Sequence, residues 1–155
     1  MLRSLFAGLF LLLLTACTAD PALDLDLLEA NARGGDPQAI AQLVGLLAAQ
    51  EAGVSDRAYA ITVELGQRAV PALMEQVQAE DKQRREYVIA ALGTLKVDTA
   101  IPAISDVLAN KTLPRRYVAA WALGAIGDAT VVPALIGALD DENSEVRRYA
   151  TRALI

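Results

Sequence analysis

The sequence predicts an all-α fold, a short solenoid of stacked helical pairs. Three observations carry this. Pro71, Pro102 and Pro133 are evenly spaced, 31 residues apart. The stretches they open, PALMEQVQAEDKQR, PAISDVLANKTLPR and PALIGALDDENSEV, repeat their apolar positions. A fixed period in this range marks stacked supersecondary units, each too small to bury its own apolar face. Finally, the chain is 54% apolar but only 5% aromatic. Ala and Leu carry that content, which suits closely packed helices better than sheet.

The first residues belong to a different process. Arg3 supplies a positive start, and residues 5–14 (LFAGLFLLLL) form a ten-residue apolar run. Such a run is short for a membrane span but right for a signal-peptide core. Leu14-Thr15-Ala16-Cys17 follows. Small residues before a cysteine, after a charged start and an apolar core, resemble the lipobox of bacterial lipoproteins. The resemblance implies cleavage after Ala16, diacylation of Cys17 and acylation of the new amino terminus. Several acyl chains hold a protein on a membrane where one does not. The alternative is an ordinary signal peptide with an incidental cysteine. Thr18, rather than Asp, follows the cysteine, so the resemblance favours the outer membrane facing the periplasm if the cell is Gram-negative. The chain then divides into a lipoprotein signal peptide (1–16), a lipidated cysteine and tether (17–21), a degenerate first helical repeat (22–54) and regular repeats (55–155). Cleavage removes one base, leaving 13 bases against 19 acids. Cys17 is the one cysteine, so no internal disulfide forms.

The tether of residues 18–21 is at most about 15 Å long when extended. Residues 22–32 read as a first helix, with Leu23, Leu27 and Leu28 on one side and Gly34-Gly35 as its stop. Asp36-Pro37 opens a second, by a capping side chain followed by a first-turn proline. From Ser55 each unit has an A helix ending in Leu-Gly (Leu65-Gly66, Leu92-Gly93, Leu123-Gly124) and a B helix starting at proline. The glycines are expected to cap the A helices in the left-handed conformation. Asp98 or Thr99, and Asp128, are expected to cap the B helices. One unit departs from the pattern: its A–B connection is four residues shorter, which predicts a tighter turn before Pro71. A final A helix from Ser144 ends at Leu154.

The segment RRYVAAWALGAIGDATVVPALIGALDDENSEVRRYATRAL resembles HEAT-like repeats of the short bacterial type, also found in phycobilin lyases. The resemblance is clear over residues 55–155 and weak over 22–53. It implies a short right-handed α-α superhelix. It also implies that the arginines at A-helix starts (Arg57, Arg84, Arg85, Arg115, Arg116, Arg147, Arg148) pair with acids or amides near the preceding B-helix end. Asp141 would serve Arg147, and Asn110 would serve Arg116. The other reading of this ladder is a basic binding ridge.

Core positions are those apolar in every copy: Leu73, Ile104 and Leu135; Val77, Leu108 and Leu139; Leu65, Leu92, Leu123 and Leu154. All four tyrosines and the one tryptophan fall on A helices. Tyr59, Tyr87, Tyr117 and Tyr149 occupy similar positions, and Trp121 lies one turn after Tyr117. They form either an aromatic band along an outer, convex edge, with Tyr87, Tyr117, Trp121 and Tyr149 as partner-binding candidates, or inter-repeat packing with hydroxyls in solvent. The concave face is expected to be lined by B helices, with Glu75, Asp106 and Asp140 among its exposed groups. The last unit lacks a B helix, so Val146, Ala150 and Leu154 are expected to form an open apolar end, a route to self-association.

The chain has no histidine, which excludes imidazole chemistry. It lacks a phosphate-binding glycine loop and a basic stripe, so neither nucleotide nor nucleic acid is expected as a partner. Carboxylate pairs such as Asp140-Asp141 sit at helix ends, where capping explains them. No metal, cofactor or catalytic residue is expected. The reading is a lipid-anchored adaptor or assembly factor at the bacterial cell envelope, binding a protein partner. The alternatives are a chromophore-lyase-like or other HEAT-repeat accessory to an enzyme, and a structural spacer without a specific partner.

Overall fold

The computed structural model describes residues 24–155; the leader, Cys17 and the tether lie outside them. The A helices are α1 (Leu25–Arg33), α3 (Ala52–Leu65), α5 (Lys82–Thr94), α7 (Tyr117–Ile126) and α9 (Ser144–Ala153). The B helices are α2 (Pro37–Gly45), α4 (Val70–Gln76), α6 (Ile101–Ala109) and α8 (Val132–Gly137). No strand occurs among the described residues, and none of their helices is long and apolar enough to cross a membrane. α1 packs on α2, each B helix packs against the A helix that follows it (α2–α3, α4–α5, α6–α7, α8–α9), and α5, α7 and α9 lie side by side. This is the predicted all-α solenoid.

Prolines open the B helices as their chemistry dictates. Pro37, Pro71, Pro102 and Pro133 sit in the first turn, where a missing N–H is no loss. The last three helices are entered through 3-10 turns at Gly66–Ala69, Asp98–Ala100 and Ala129–Val131. Asp128 Oδ1 accepts from Thr130 N at 2.8 Å and caps its turn, whereas no side chain caps the turn at Asp98. In the short unit the 3-10 turn follows α3 directly. In the next unit three residues separate α5 from its turn.

Two of the three Leu-Gly signals have a different meaning from the one expected. α5 runs through Gly93 to Thr94, and α7 runs through Gly124 to Ile126. A Cβ at Gly93 would lie 2.8 Å from Ala122 Cα and 3.2 Å from the Trp121 ring; at Gly124 it would strike Ala153 Cβ and lie 3.0 Å from its Cα. These glycines let consecutive A helices approach backbone to backbone. The left-handed ends lie farther on, at Gly127 (φ 75°) and, 31 residues earlier, at Lys96 (φ 52°).

α5, α7 and α9 pack along their lengths, while α4, α6 and α8 touch one another little. From α5 to α9 the A layer is therefore the more closely packed one, and the groove opens on the A-helix side, where B helices were expected.

The core uses the predicted repeat positions. Leu73, Ile104, Leu135, Leu92 and Leu123 are fully buried, and Leu65, Val77 and Leu108 nearly so. Leu139, at 36% exposure, and Leu154, half-buried, are the exceptions. α8 stops at Gly137 and passes into a 3-10 turn at Ala138–Asp140, whose tighter winding rotates Leu139 off the buried face. The expected open end also moves. Val146 and Ala150 are fully buried, since α9 packs on α7 and α8, while Leu154 is half-buried. The exposed apolar patch lies at α8 and its 3-10 turn, at Val132, Ile136 and Leu139.

The arginine ladder is engaged in structural ties, partly with the expected partners: Arg84 reaches the Gln76 amide at the end of α4 at 3.5 Å, and Asp141 serves Arg147 through its backbone carbonyl. Arg116 pairs with Asp141, at the B end of its own unit, and donates to Leu108 O of the preceding one at 3.2 Å. Arg147 donates to the backbone carbonyls of Asp141 and Glu142 at 2.6 and 3.0 Å. Asn110 accepts from Thr112 instead of Arg116. Arg57 pairs with Asp26 and Glu29 on α1, Arg85 donates to Ala79 O at 2.7 Å, and Arg148 pairs with Glu145.

Candidate functional site

The A-helix side holds a groove of about 1110 Å³, walled by the A helices and the residues flanking them. Its aromatic floor comes from Tyr59 on α3, Tyr87 on α5, Tyr117 and Trp121 on α7, and Tyr149 on α9. One tyrosine per helix reaches it because each occupies a similar turn of its A helix. The helices stand side by side, so repetition in sequence becomes a row in space.

The rings pair across the A–A joints. Tyr59 and Tyr87 lie 5.7 Å apart between centroids, tilted by 58°; Tyr117 and Tyr149 lie 5.3 Å apart, nearly stacked at 26°. Both spacings fall in the favourable range for aromatic pairs. The Arg148 guanidinium lies 4.9 Å from the Tyr149 centroid. The hydroxyls are anchored too. Tyr87 donates to Asp56 Oδ1 at 2.9 Å, Tyr59 meets Thr94 Oγ1 at 3.1 Å, and Tyr117 reaches Glu86 Oε1 at 3.5 Å. The bond to Asp56 pushes the Tyr87 hydroxyl pKa above its ordinary value, and burial does the same for Tyr117, aided by the Glu86 charge. The tyrosines thus do both things the sequence allowed: they pack between repeats, and their remaining faces line a surface. That surface is the concave groove, not a convex edge. Trp121 is the most open of the set, 38% exposed, with its ring resting against Gly93.

The rim is polar. Gln50, Lys82, Gln83 and Arg115 stand near the N-terminal ends of α3, α5 and α7, and Arg152 stands near the C-terminal end of α9. Glu86 is the acid in the lining; Arg115 pairs with it, which raises the Arg115 pKa. Such a lining offers stacking faces, cation–π partners and hydrogen-bonding groups.

The structure brings Tyr87, Tyr117, Trp121 and Tyr149 together in one groove. It leaves Glu75, Asp106 and Asp140 outside it, exposed on α4, on α6 and in the turn after α8. No B-helix residue lines the groove, since the close Gly–Ala contacts and the tyrosine row are both on the A helices. Cys17 lies outside the described residues. Tyr59, placed in the aromatic set but not among the binding candidates, joins the site, as do Lys82, Glu86 and Arg152, which the sequence did not single out. Tyr59 is discoverable from the repeat, as the same position one unit earlier. The three charged residues are legible only once the A helices are known to wall the groove.

Comparison with known proteins identifies the scaffold. A search of curated proteins finds no match. Human deoxyhypusine hydroxylase, in a structure with glycerol, superposes with a TM-score of 0.65 at 24% identity, over 80% of this chain and 44% of that one. The complex of CpcE and CpcF of phycocyanin lyase from Nostoc sp. PCC7120 gives a TM-score of 0.59 at 27% identity, over 86% of this chain and 60% of that one. This chain therefore spans less than two thirds of the length of either. The family model for HEAT repeats matches residues 70–155, more than half of the sequence, and the protein belongs to the HEAT-repeat family.

Proposed function

We propose that this protein is a lipid-anchored, non-catalytic adaptor that binds a segment of another protein in its A-helix groove at the bacterial cell envelope. The observation that carries the reading is the single row of Tyr59, Tyr87, Tyr117, Trp121 and Tyr149 in a groove of about 1110 Å³. Tyr and Trp are the residues that anchor protein interfaces, because they offer large rigid faces at low entropic cost. HEAT repeats as a class build extended surfaces of this kind. The anchor rests on Leu14-Thr15-Ala16-Cys17, and a membrane tether would raise the local concentration of the groove near its partner.

The test is crosslinking and recovery of partners from the native envelope, with the wild type beside Cys17→Ala and Trp121→Ala. A partner recovered with the wild type and lost with Trp121→Ala supports the groove. The same set recovered with all three means a spacer without a specific partner. Fractionation separates the anchor from the groove: Cys17→Ala is expected in the soluble fraction, and an unchanged membrane fraction refutes lipidation at that residue.

A second reading, an accessory to a chromophore-handling enzyme, draws on the similarity to the phycocyanin lyase complex. It predicts that recovered material carries a visible absorption band displaced by Trp121→Ala.

A further inference from the structure

The charges of the groove run against those of the chain. The whole sequence carries 14 bases and 19 acids, yet the groove is lined by three cations, Lys82, Arg115 and Arg152, and one acid, Glu86. That acid is already taken, by the Arg115 ion pair and the Tyr117 hydroxyl. Asp56, just outside the lining, accepts from Tyr87. Lys82 and Arg152 pair with no acid among the described residues, and both are exposed. Lys82 opens α5 on one rim, and Arg152 lies near the end of α9 on the other. An aromatic floor thus lies between two basic rims.

We infer that the groove takes an extended, acidic protein segment, with carboxylates facing the unpaired cations Lys82 and Arg152 and an apolar side chain on the tyrosine floor. The inference rests on the groove being the binding surface proposed above. Its length follows from the scaffold. Three steps between neighbouring helices at roughly 9 Å each give about 27 Å from α3 to α9. An extended chain covers that in about eight residues. Successive side chains of such a segment point to opposite sides, so both rims can be engaged by one strand. A nucleic acid fits less well. A strand of that length carries more phosphates than the two unpaired cations balance, and the surrounding chain is acidic.

The test is selection from a random twelve-residue peptide library on the full chain in mild detergent, repeated with Trp121→Ala and with the double variant Lys82→Glu/Arg152→Glu. The changed side chains are exposed, and circular dichroism checks that the helices persist. The expected result is enrichment of peptides with two or more acids around an apolar residue. Binding of the best of them should weaken about tenfold in the double variant and should weaken with added salt. Enrichment of neutral or basic peptides that is lost in Trp121→Ala overturns the acidic assignment and leaves the groove standing. The absence of any enrichment overturns both. A twelve-nucleotide single strand binding more tightly than the best peptide also overturns the assignment.

Discussion

Arg116 and Asp141 form a bidentate pair, Nη1 to Oδ2 at 2.6 Å and Nη2 to Oδ1 at 3.0 Å, with both residues at most 7% exposed. Arg116 also holds Leu108 O, so one side chain fastens the ends of two successive B helices at the start of α7. The bond to Arg116 holds the Asp141 carboxyl below the usual carboxylate range, with further help from Asn143 N. Asp141→Ala leaves the guanidinium buried without its partner. It is expected to cost about 2–3 kcal/mol in urea unfolding.

The same pair sets an acid limit on stability. A carboxyl with a depressed folded-state pKa adds stability above its unfolded value, about 3.9, and that stability is lost as pH falls through the folded value. Unfolding measured from pH 7 downward should show this loss in the wild type. Asp141→Asn should show a flatter acid limb.

The glycines inside α5 and α7 give a test of why the A layer is closely packed. Gly93→Ala and Gly124→Ala each push a methyl into the neighbouring helix, and each is expected to cost about 1–3 kcal/mol despite the better helix propensity of alanine. Lys96→Gly should act in the opposite direction. Lys96 holds a left-handed φ of 52° where the next repeat has Gly127, and glycine should stabilise by about 0.5–1 kcal/mol. Thermal unfolding of the three variants checks both signs.

Leu135 and Leu139 differ sharply although both recur in the 31-residue pattern. Leu135→Ala, in the buried row, is expected to cost about 2–5 kcal/mol. Leu139→Ser, on the exposed patch, should cost far less, within about 0.5 kcal/mol. Chemical denaturation of the two decides whether the 3-10 turn after α8 has rotated Leu139 outward.

Trp121 reports on the groove directly. Its 38% exposure predicts emission that acrylamide quenches readily in the free protein. A bound peptide should protect it. Full protection without a ligand would contradict the open groove.

Much of this fold was legible in the sequence, for local reasons. Pro37, Pro71, Pro102 and Pro133 mark helix starts because only the first turn tolerates them. The recurring leucines mark the core because burial is periodic. What was not legible depends on relations between units. Gly93 and Gly124 look like caps because a glycine after leucine near a helix end signals either a left-handed residue or a close contact, and the neighbour decides which. The family resemblance assigned Asp141 to Arg147, and Arg147 does hold its backbone carbonyl; the carboxylate itself goes to Arg116, which the stacking of units brings to it. The tyrosine row was visible, but the groove forms across several joints, so the sequence placed that row on the wrong side.

Those joints are not all alike. Gly66 corresponds to Gly93 in the repeat, yet α3 ends before it and a Cβ there would meet nothing within 4 Å. The α3–α5 joint relies on the tilted Tyr59–Tyr87 pair and two hydroxyl bonds, whereas the α5–α7 and α7–α9 joints are locked backbone to backbone. Ring edges and hydroxyls slide where packed backbones do not. The groove therefore has a stiff jaw at α5, α7 and α9 and a compliant one at α3. If the groove binds as proposed, its aperture is expected to adjust at the Tyr59 end, so that segments of different bulk are admitted there without disturbing the rest of the stack.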